Sequence, residues 1–203
     1  KGINIALLNL GKTPEIPANT TALVIASPRA NLLPGEVGLI QEFVRKGGNL
    51  WWLAEPGDQH GLEALAQQLN LSFLPGAIVD ASTQLLGISN PAFALVVEYS
   101  HHPITDGFKE MTLFPVTAAL QAGKDTDFHA TAVLRTLSRA WTETGPLKGD
   151  IRFNADSGEK EGPLNIAYAL VRDLKAPAND APKEDKAGEQ RIMVMGDGDF
   201  LSN

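Results

Sequence analysis

The chain contains no cysteine among its 203 residues. Thiol nucleophiles, thiolate metal sites and disulfide bonds are therefore excluded as features of this chain. No apolar run reaches the roughly 18 residues that a membrane-spanning helix needs, and no secretory signal peptide is present. Because residue 1 is Lys and not an initiator Met, and the sequence stops within a well-formed motif, we expect the chain to be a fragment of a longer protein.

Several catalytic and nucleotide-binding motifs are also missing. The sequence has no G-x-S-x-G nucleophile elbow, no P-loop and no G-x-G-x-x-G after a strand. It has no basic stripe, and its net charge of −7 repels nucleic acid at long range. We therefore expect no nucleic-acid partner and no enzyme of these familiar classes.

What the sequence does contain is typical of one α/β domain over residues 1–203. Apolar runs at residues 3–8, 22–27 and 50–54 predict strands, and we expect the second to be buried on both faces of a parallel sheet. A helix should begin at Pro34 and end at Gly47 and Gly48, with Gly48 as a left-handed cap. A second helix should carry the apolar residues Leu62, Leu65, Ala66 and Leu69.

The order strand, helix, strand, helix predicts an open, mainly parallel sheet with flanking helices. The middle of the chain predicts strands with few helices between them, at residues 73–80, 94–99 and 130–143, which we expect to add antiparallel strands. Residues 114–120 are ambiguous. Residues 164–174 and 191–195 should form further strands, the last of them central. Residues 176–190 have the composition of a flexible loop.

A candidate binding site lies where the predicted strands end, because open α/β sheets bind ligands at their carboxyl edge. Ser27, Arg29, Glu55, Asp197 and Asp199 all follow predicted strands, so we expect them at that edge. Two aspartates with intervening glycines suggest a cation site, but the EF-hand spacing is absent. The alternative is that both carboxylates accept backbone N–H bonds and fix a tight turn. We expect no metal and no cofactor.

The adjacent histidines His101 and His102, with Asp106 nearby, suggest a metal or acid–base site. Neighbouring side chains on an extended backbone point in opposite directions, so both rarely reach one ion. A turn packed by Pro103 and Ile104 is the interpretation that we favour.

Six short motifs follow one another along the chain: Ser27-Pro28, the Pro34 helix, the run from Gly47 to Leu53, His102-Pro103-Ile104-Thr105, Phe114-Pro115 and the closing run from Val194 to Asn203. Together they resemble the gliding-motility-associated (GldG-type) auxiliary domains of ABC transport systems, which are related to the N-terminal domain of intraflagellar transport proteins. The resemblance implies a flavodoxin-like or class I glutamine amidotransferase-like fold. It carries no catalytic residues to this chain, which lacks the cysteine nucleophile of the amidotransferases.

From this resemblance we expect a non-enzymatic, periplasmic domain tethered to the inner membrane. It would bind a ligand, such as a small molecule or glycan, or a partner among the membrane and ATPase subunits of an ABC transporter. One alternative is a hydrolase of amidotransferase-like fold that acts on a sugar or peptide through an unrecognised site. Another is a purely structural scaffold.

Overall fold

A computed structural model describes residues 2–149, 151–174 and 188–201 of the chain. Its two α-helices are α1 (Pro34–Arg45) and α2 (Glu63–Gln68). Its strands are β1 (Ala22–Ala26), β2 (Asn49–Leu53), β3 (Leu71–Phe73), β4 (Ala77–Asp80), β5 (Phe93–Val96), β6 (Thr112–Pro115), β7 (Leu120–Ala122), β8 (His129–Arg135), β9 (Ala140–Glu143), β10 (Asn165–Asp173) and β11 (Glu189–Met195).

The main sheet has seven strands, and its parallel part is β1, β2 and β11. On the far side of β11, β10 runs antiparallel to it and pairs in turn with β8 and β7, and β3 adds to β7. The α/β class, the parallel start and the added antiparallel strands are thus confirmed. β11 is central, as predicted, because it lies between β2 and β10.

Different structures cover the two faces of this sheet. Both α-helices pack on one face, where Val44 of α1 and Leu65 of α2 join Trp52 and Val194 in a buried cluster. The other face packs against two small antiparallel ribbons, β4 with β9 and β5 with β6, through a second cluster that includes Ile78 and Phe114. A flavodoxin-like sheet carries helices on both faces, so the covering of this second face differs from that pattern.

The local signals in α1 are confirmed, with one correction at its end. Pro34 is the first helical residue, and the N–H of Leu33 donates to Glu36 Oε2 at 2.8 Å. The left-handed residue after the helix is Gly47, with φ 95°, and not Gly48 as predicted. Gly48 is required for space, because a Cβ there would overlap the ring of Phe43.

The side chain of Gln190, which no sequence pattern singled out, joins the C-terminal end of α1 to the sheet. Gln190 is fully buried on β11, and its Nε2 donates to the carbonyls of Val44 at 2.8 Å and Gly48 at 2.6 Å. The last carbonyls of a helix lack partners within the helix. Gln190 therefore satisfies one of these carbonyls of α1 and one from the turn that follows.

One strand prediction and one burial prediction at the start of the chain are wrong. Residues 3–8 form no strand, since no described segment lies beside them to complete a ladder. β1 is an edge strand that pairs only with β2 among the described residues, and it is buried on one face alone, since Leu23 and Ile25 pack on the helix side while Val24 on the opposite face is 53% exposed. Continuous apolar sequence does not by itself distinguish an edge strand from a central one.

Other boundaries changed in the middle of the chain. The predicted strand over residues 130–143 is two strands, β8 and β9, separated by a turn, and residues 73–80 divide into β3 and β4. The ambiguous residues 114–120 contain the end of β6 and the start of β7. Most of the predicted loop 176–190 lies outside the described residues, but Glu189 and Gln190 belong to β11.

Gly196 follows β11, and its backbone lies very close to that of Ala118. Its N–H donates to Ile166 at 2.9 Å, and its carbonyl accepts from Ala118 at 2.7 Å. A Cβ at Gly196 would overlap the carbonyl oxygen of Ala118, so Gly196→Ala should lower the free energy of unfolding by about 1–3 kcal/mol. Denaturant unfolding would measure this.

Gly38→Ala is the matched control. Nothing lies within 4 Å of a Cβ built at Gly38 on α1, and alanine favours a helix over glycine by up to about 1 kcal/mol. We expect the control to be neutral or stabilising. Equal destabilisation by both variants would contradict the close approach at Gly196.

Candidate functional site

The candidate site lies at the carboxyl ends of β1, β2 and β11, which are neighbours in the sheet. The ladder continues just past the strands, because the N–H of Ser27 donates to Leu53 at 2.9 Å and that of Ala54 donates to Met195 at 2.8 Å. The next residues along β2 and β11 are Glu55 and the turn at Gly196. The topology thus brings together most of the residues that the sequence predicted.

Ser27 and Glu55 are directly linked. The Ser27 hydroxyl donates to Glu55 Oε1 at 2.6 Å, and the N–H of Gly198 donates to the same oxygen at 3.3 Å. Ser27 has φ 40°, a left-handed conformation that is uncommon for serine. Position 198 requires glycine, because a Cβ there would overlap the hydroxyl oxygen of Ser27. The glycine was visible in the sequence, but its contact with Glu55 was not.

Asp197 is the buried member of the cluster. Its side chain is fully excluded from solvent, and Oδ1 accepts the N–H of Asp199 at 2.7 Å and that of Phe200 at 3.3 Å. Oδ2 is also buried, and it has no hydrogen-bond partner among the described residues. The carboxylate therefore closes a turn through one oxygen and leaves the other unsatisfied.

The environment of Asp197 raises its pKa to about 6. Burial is the largest cause, since it disfavours the charged form. The N–H of Asp199 lowers the pKa, the charge of Glu55 raises it, the N–H of Phe200 lowers it, and the charge of Asp199 raises it. The two hydrogen bonds are thus outweighed by burial and by the neighbouring negative charges.

The remaining predicted residues lie further out. Asp199 is exposed and begins a short 3-10 turn, Asp199–Leu201. The ring of Phe200 meets that of Phe114 edge-on, with centroids 6.1 Å apart, and so holds the turn against β6. Arg29 is exposed two residues beyond Ser27, and no ion pair joins it to the carboxylates among the residues that the structure describes.

This arrangement provides hydrogen-bond acceptors and negative charge. Glu55 is half-buried and Asp197 is fully buried, so a ligand at the edge would meet Glu55 first. In the described ranges, no group of three or more His, Asp and Glu side chains is placed to hold a metal ion. The chemistry therefore suits a ligand that donates hydrogen bonds or carries positive charge.

The residues around His101 and His102 form a turn, as we favoured, but Pro103 and Ile104 are exposed and do not pack it. The N–H of Ile104 donates to His102 Nδ1 at 3.2 Å, and the Thr105 hydroxyl donates to the carbonyl of Ser100 at 2.7 Å. His101 and Asp106 are both exposed, with Nδ1 and Oδ1 4.0 Å apart. Nothing here positions the two histidines on one ion.

A concave region that is separate from the carboxyl edge lies after β9. It has a volume of roughly 340 Å³ and is lined by Glu143, Thr144, Gly145, Pro146, Lys148, Ile151, Arg152, Asn154, Ser157 and Glu159. Glu159 is buried, which alone would raise its pKa, but the N–H groups of Asn154 and Thr144 donate to it and the net pKa is lowered. Its carboxylate is thereby fully engaged in holding the loop.

Replacement of Asp197 tests its part in the turn. Asp197→Ala removes the acceptor of two N–H groups, and we expect a loss of about 1–3 kcal/mol in the free energy of unfolding. Asp197→Asn keeps the Oδ1 acceptor and should lose much less. Thermal or denaturant unfolding of both variants would measure this, and equal losses would contradict a turn held by Oδ1.

The pH dependence of stability tests the raised pKa. Because the pKa of Asp197 rises from an ordinary 3.8 to about 6 on folding, proton binding favours the folded state. That contribution is fully present below pH 3.8 and is lost as the pH rises through about 6. The melting temperature of Asp197→Asn relative to the unmodified chain should therefore increase from pH 5 to pH 8. A difference that does not change with pH would rule out the raised pKa.

Comparisons with known proteins identify the family of the chain and a solved structure with a similar fold. Residues 1–203 match the model of a family described as an ABC-type uncharacterized transport system. A comparison with the curated proteins gave no match. One matching solved structure is the "mmIFT52 N-terminal domain", at 16% identity and TM-score 0.56, with 89% of this chain and 67% of that chain covered. At that identity the likeness shows the fold alone.

No helix in the described part of the chain has the length and apolar character that crossing a bilayer requires. The relation to intraflagellar transport N-terminal domains, predicted from the sequence, is confirmed as a relation of fold. The match over all 203 residues confirms the transport-system resemblance. The chain belongs to the family of ABC-type uncharacterized transport system proteins.

Proposed function

We propose that this chain is a non-enzymatic auxiliary domain of an ABC transport system, and that it binds a ligand or a partner subunit at the carboxyl edge of its sheet. The observation that carries the proposal is the match of the whole chain to the transport-system family.

The geometry of the edge supports binding over catalysis. The Ser27 hydroxyl donates to Glu55 Oε1, and the N–H of Gly198 donates to the same oxygen instead of pointing at an open position. An acyl-transfer site needs N–H donors directed at the place where an oxyanion develops. Here the nearest such donor is already used, so the cluster is better suited to holding a partner than to turning over a substrate.

The ligand class follows from the charges at this edge. Glu55, Asp197 and Asp199 make its inner part negative, and Arg29 adds one exposed positive charge. A small molecule or glycan that donates hydroxyl groups suits the carboxylates. A protein subunit would meet Arg29 first, because its side chain is exposed.

The finer assignments follow from the sequence resemblance and are part of this proposal. They are the GldG-type, gliding-motility-associated class, a periplasmic location with a tether to the inner membrane, and contact with the membrane and ATPase subunits of the transporter. A flavodoxin-like or class I glutamine amidotransferase-like ancestry is likewise proposed. The parallel order β1, β2, β11 supports it, and the ribbons on the second face are then additions.

Fractionation of cells that express the full-length protein tests this proposal. We expect the protein in the membrane fraction and, after mild solubilisation, in a complex with the ATPase subunit. Arg29→Glu should reduce that recovery several-fold if the carboxyl edge is the contact. Arg139→Glu, which makes the same change at an exposed turn between β8 and β9, should leave it unchanged.

Recovery of the full-length protein as a soluble cytosolic species would contradict the proposed tether. Equal effects of the two arginine variants would contradict the carboxyl edge as the contact, while leaving the association with a transporter intact. The first outcome therefore tests the membrane location of the protein, and the second tests whether the carboxyl edge is its contact surface.

A further inference from the structure

Residues 3–8, the N-terminal apolar segment, have the character of a β-strand without a partner. Ile3, Ile5 and Leu7 alternate along it and are 91%, 88% and 101% exposed. The sequence from Gly2 to Leu10 contains no charged residue. An uncharged run with alternating, exposed apolar side chains of this kind is a template for pairing with another strand.

The free edge of β1 is the second unpaired β element. Among the described residues β1 pairs only with β2, so its outer N–H and C=O groups face away from the sheet. Val24, at the middle of β1, is 53% exposed. Edge strands are usually protected by a charged residue or a proline, and β1 contains neither.

We propose that these two elements bind each other between two copies of the chain. The N-terminal apolar segment of one copy adds as a strand to the free edge of β1 in the second copy, and the second copy returns the same contact. The exchange pairs six residues of the segment with the five residues of β1, so the two elements match in length.

A second copy fits this surface better than other occupants for two reasons. Of the two outer strands of the main sheet in the described residues, β1 has five residues and β3 only three, so β1 is the better match for the six-residue segment, and a reciprocal exchange closes as a two-fold dimer. Neither element carries charge, so neither needs an oppositely charged partner and their apolar side chains match each other.

Pairing within one copy does not account for the segment. Its three alternating side chains are almost fully exposed, so it does not lie against its own β1. The connector that follows is fixed elsewhere, because Leu10 and Ile16 pack against the core on the helix face of the sheet. The N-terminal apolar segment is therefore exposed to solvent, while the residues that follow it are held against the core.

The oligomeric state of the chain tests this proposal. Sedimentation over about a hundredfold range of concentration should show a monomer–dimer equilibrium. Ile5→Lys should weaken the dimer by about tenfold or more, because it places a charge in the added strand. Leu85→Lys is the matched control, since Leu85 is 77% exposed on a different surface, and it should dimerise like the unmodified chain.

Ile5→Lys alters a side chain with no packing in the monomer, so its effect is not one of misfolding. A chain that stays monomeric at every concentration overturns the proposal. So does a dimer that Leu85→Lys weakens as much as Ile5→Lys does, because the contact would then lie elsewhere.

The absence of cysteine allows the pairing itself to be observed. A chain with Ile5→Cys is mixed with a chain that carries Val24→Cys, and the mixture is oxidised. We expect a disulfide-linked heterodimer in excess over either homodimer. Oxidation of the double variant to a cross-linked monomer would overturn the proposal in favour of pairing within one chain. These results are independent of whether the protein joins a transporter.

Discussion

The structure depends on the position of β11 in the middle of the main sheet. β11 pairs in parallel with β2 on one side and antiparallel with β10 on the other. Its alternate side chains enter both cores, with Ile192 and Val194 on the helix face and Met195 on the ribbon face. Because β11 joins the parallel strands to the antiparallel ones, its register sets where Asp197 lies relative to Glu55 and Ser27.

The sequence predicted the elements whose signals are local. Helix α1 was placed correctly because proline, the spaced apolar residues and the glycines all act within one segment. β2 and β11 were placed correctly because their apolar runs are buried centrally. The segment at residues 3–8 has the same composition but no neighbour, and pairing is a tertiary property that composition does not contain. The edge position of β1 was missed for the same reason.

The position of the candidate site could be predicted from the sequence, but the hydrogen bonds within it could not. Parallel strands end at a common edge, so Ser27, Glu55 and Asp197 could be brought together before any side chain was seen. The hydrogen bond of Ser27 with Glu55 depends on the left-handed backbone at Ser27 and the close approach of Gly198. Neither is encoded in strand spacing. Gln190 was missed because a glutamine within an apolar strand looks like an exception until its carbonyl partners on α1 are known.

The turn after β11 requires only one of the two carboxylate oxygens of Asp197. The N–H groups of Asp199 and Phe200 require one acceptor, which an asparagine at this position would also supply. Among the described residues the second oxygen has no hydrogen-bond partner, and its burial beside the charge of Glu55 disfavours the ionised form. A group that costs stability beyond the needs of its turn is typical of functional sites. The second oxygen of Asp197, more than the turn that its first oxygen closes, therefore supports the proposal that the carboxyl edge binds a ligand or partner.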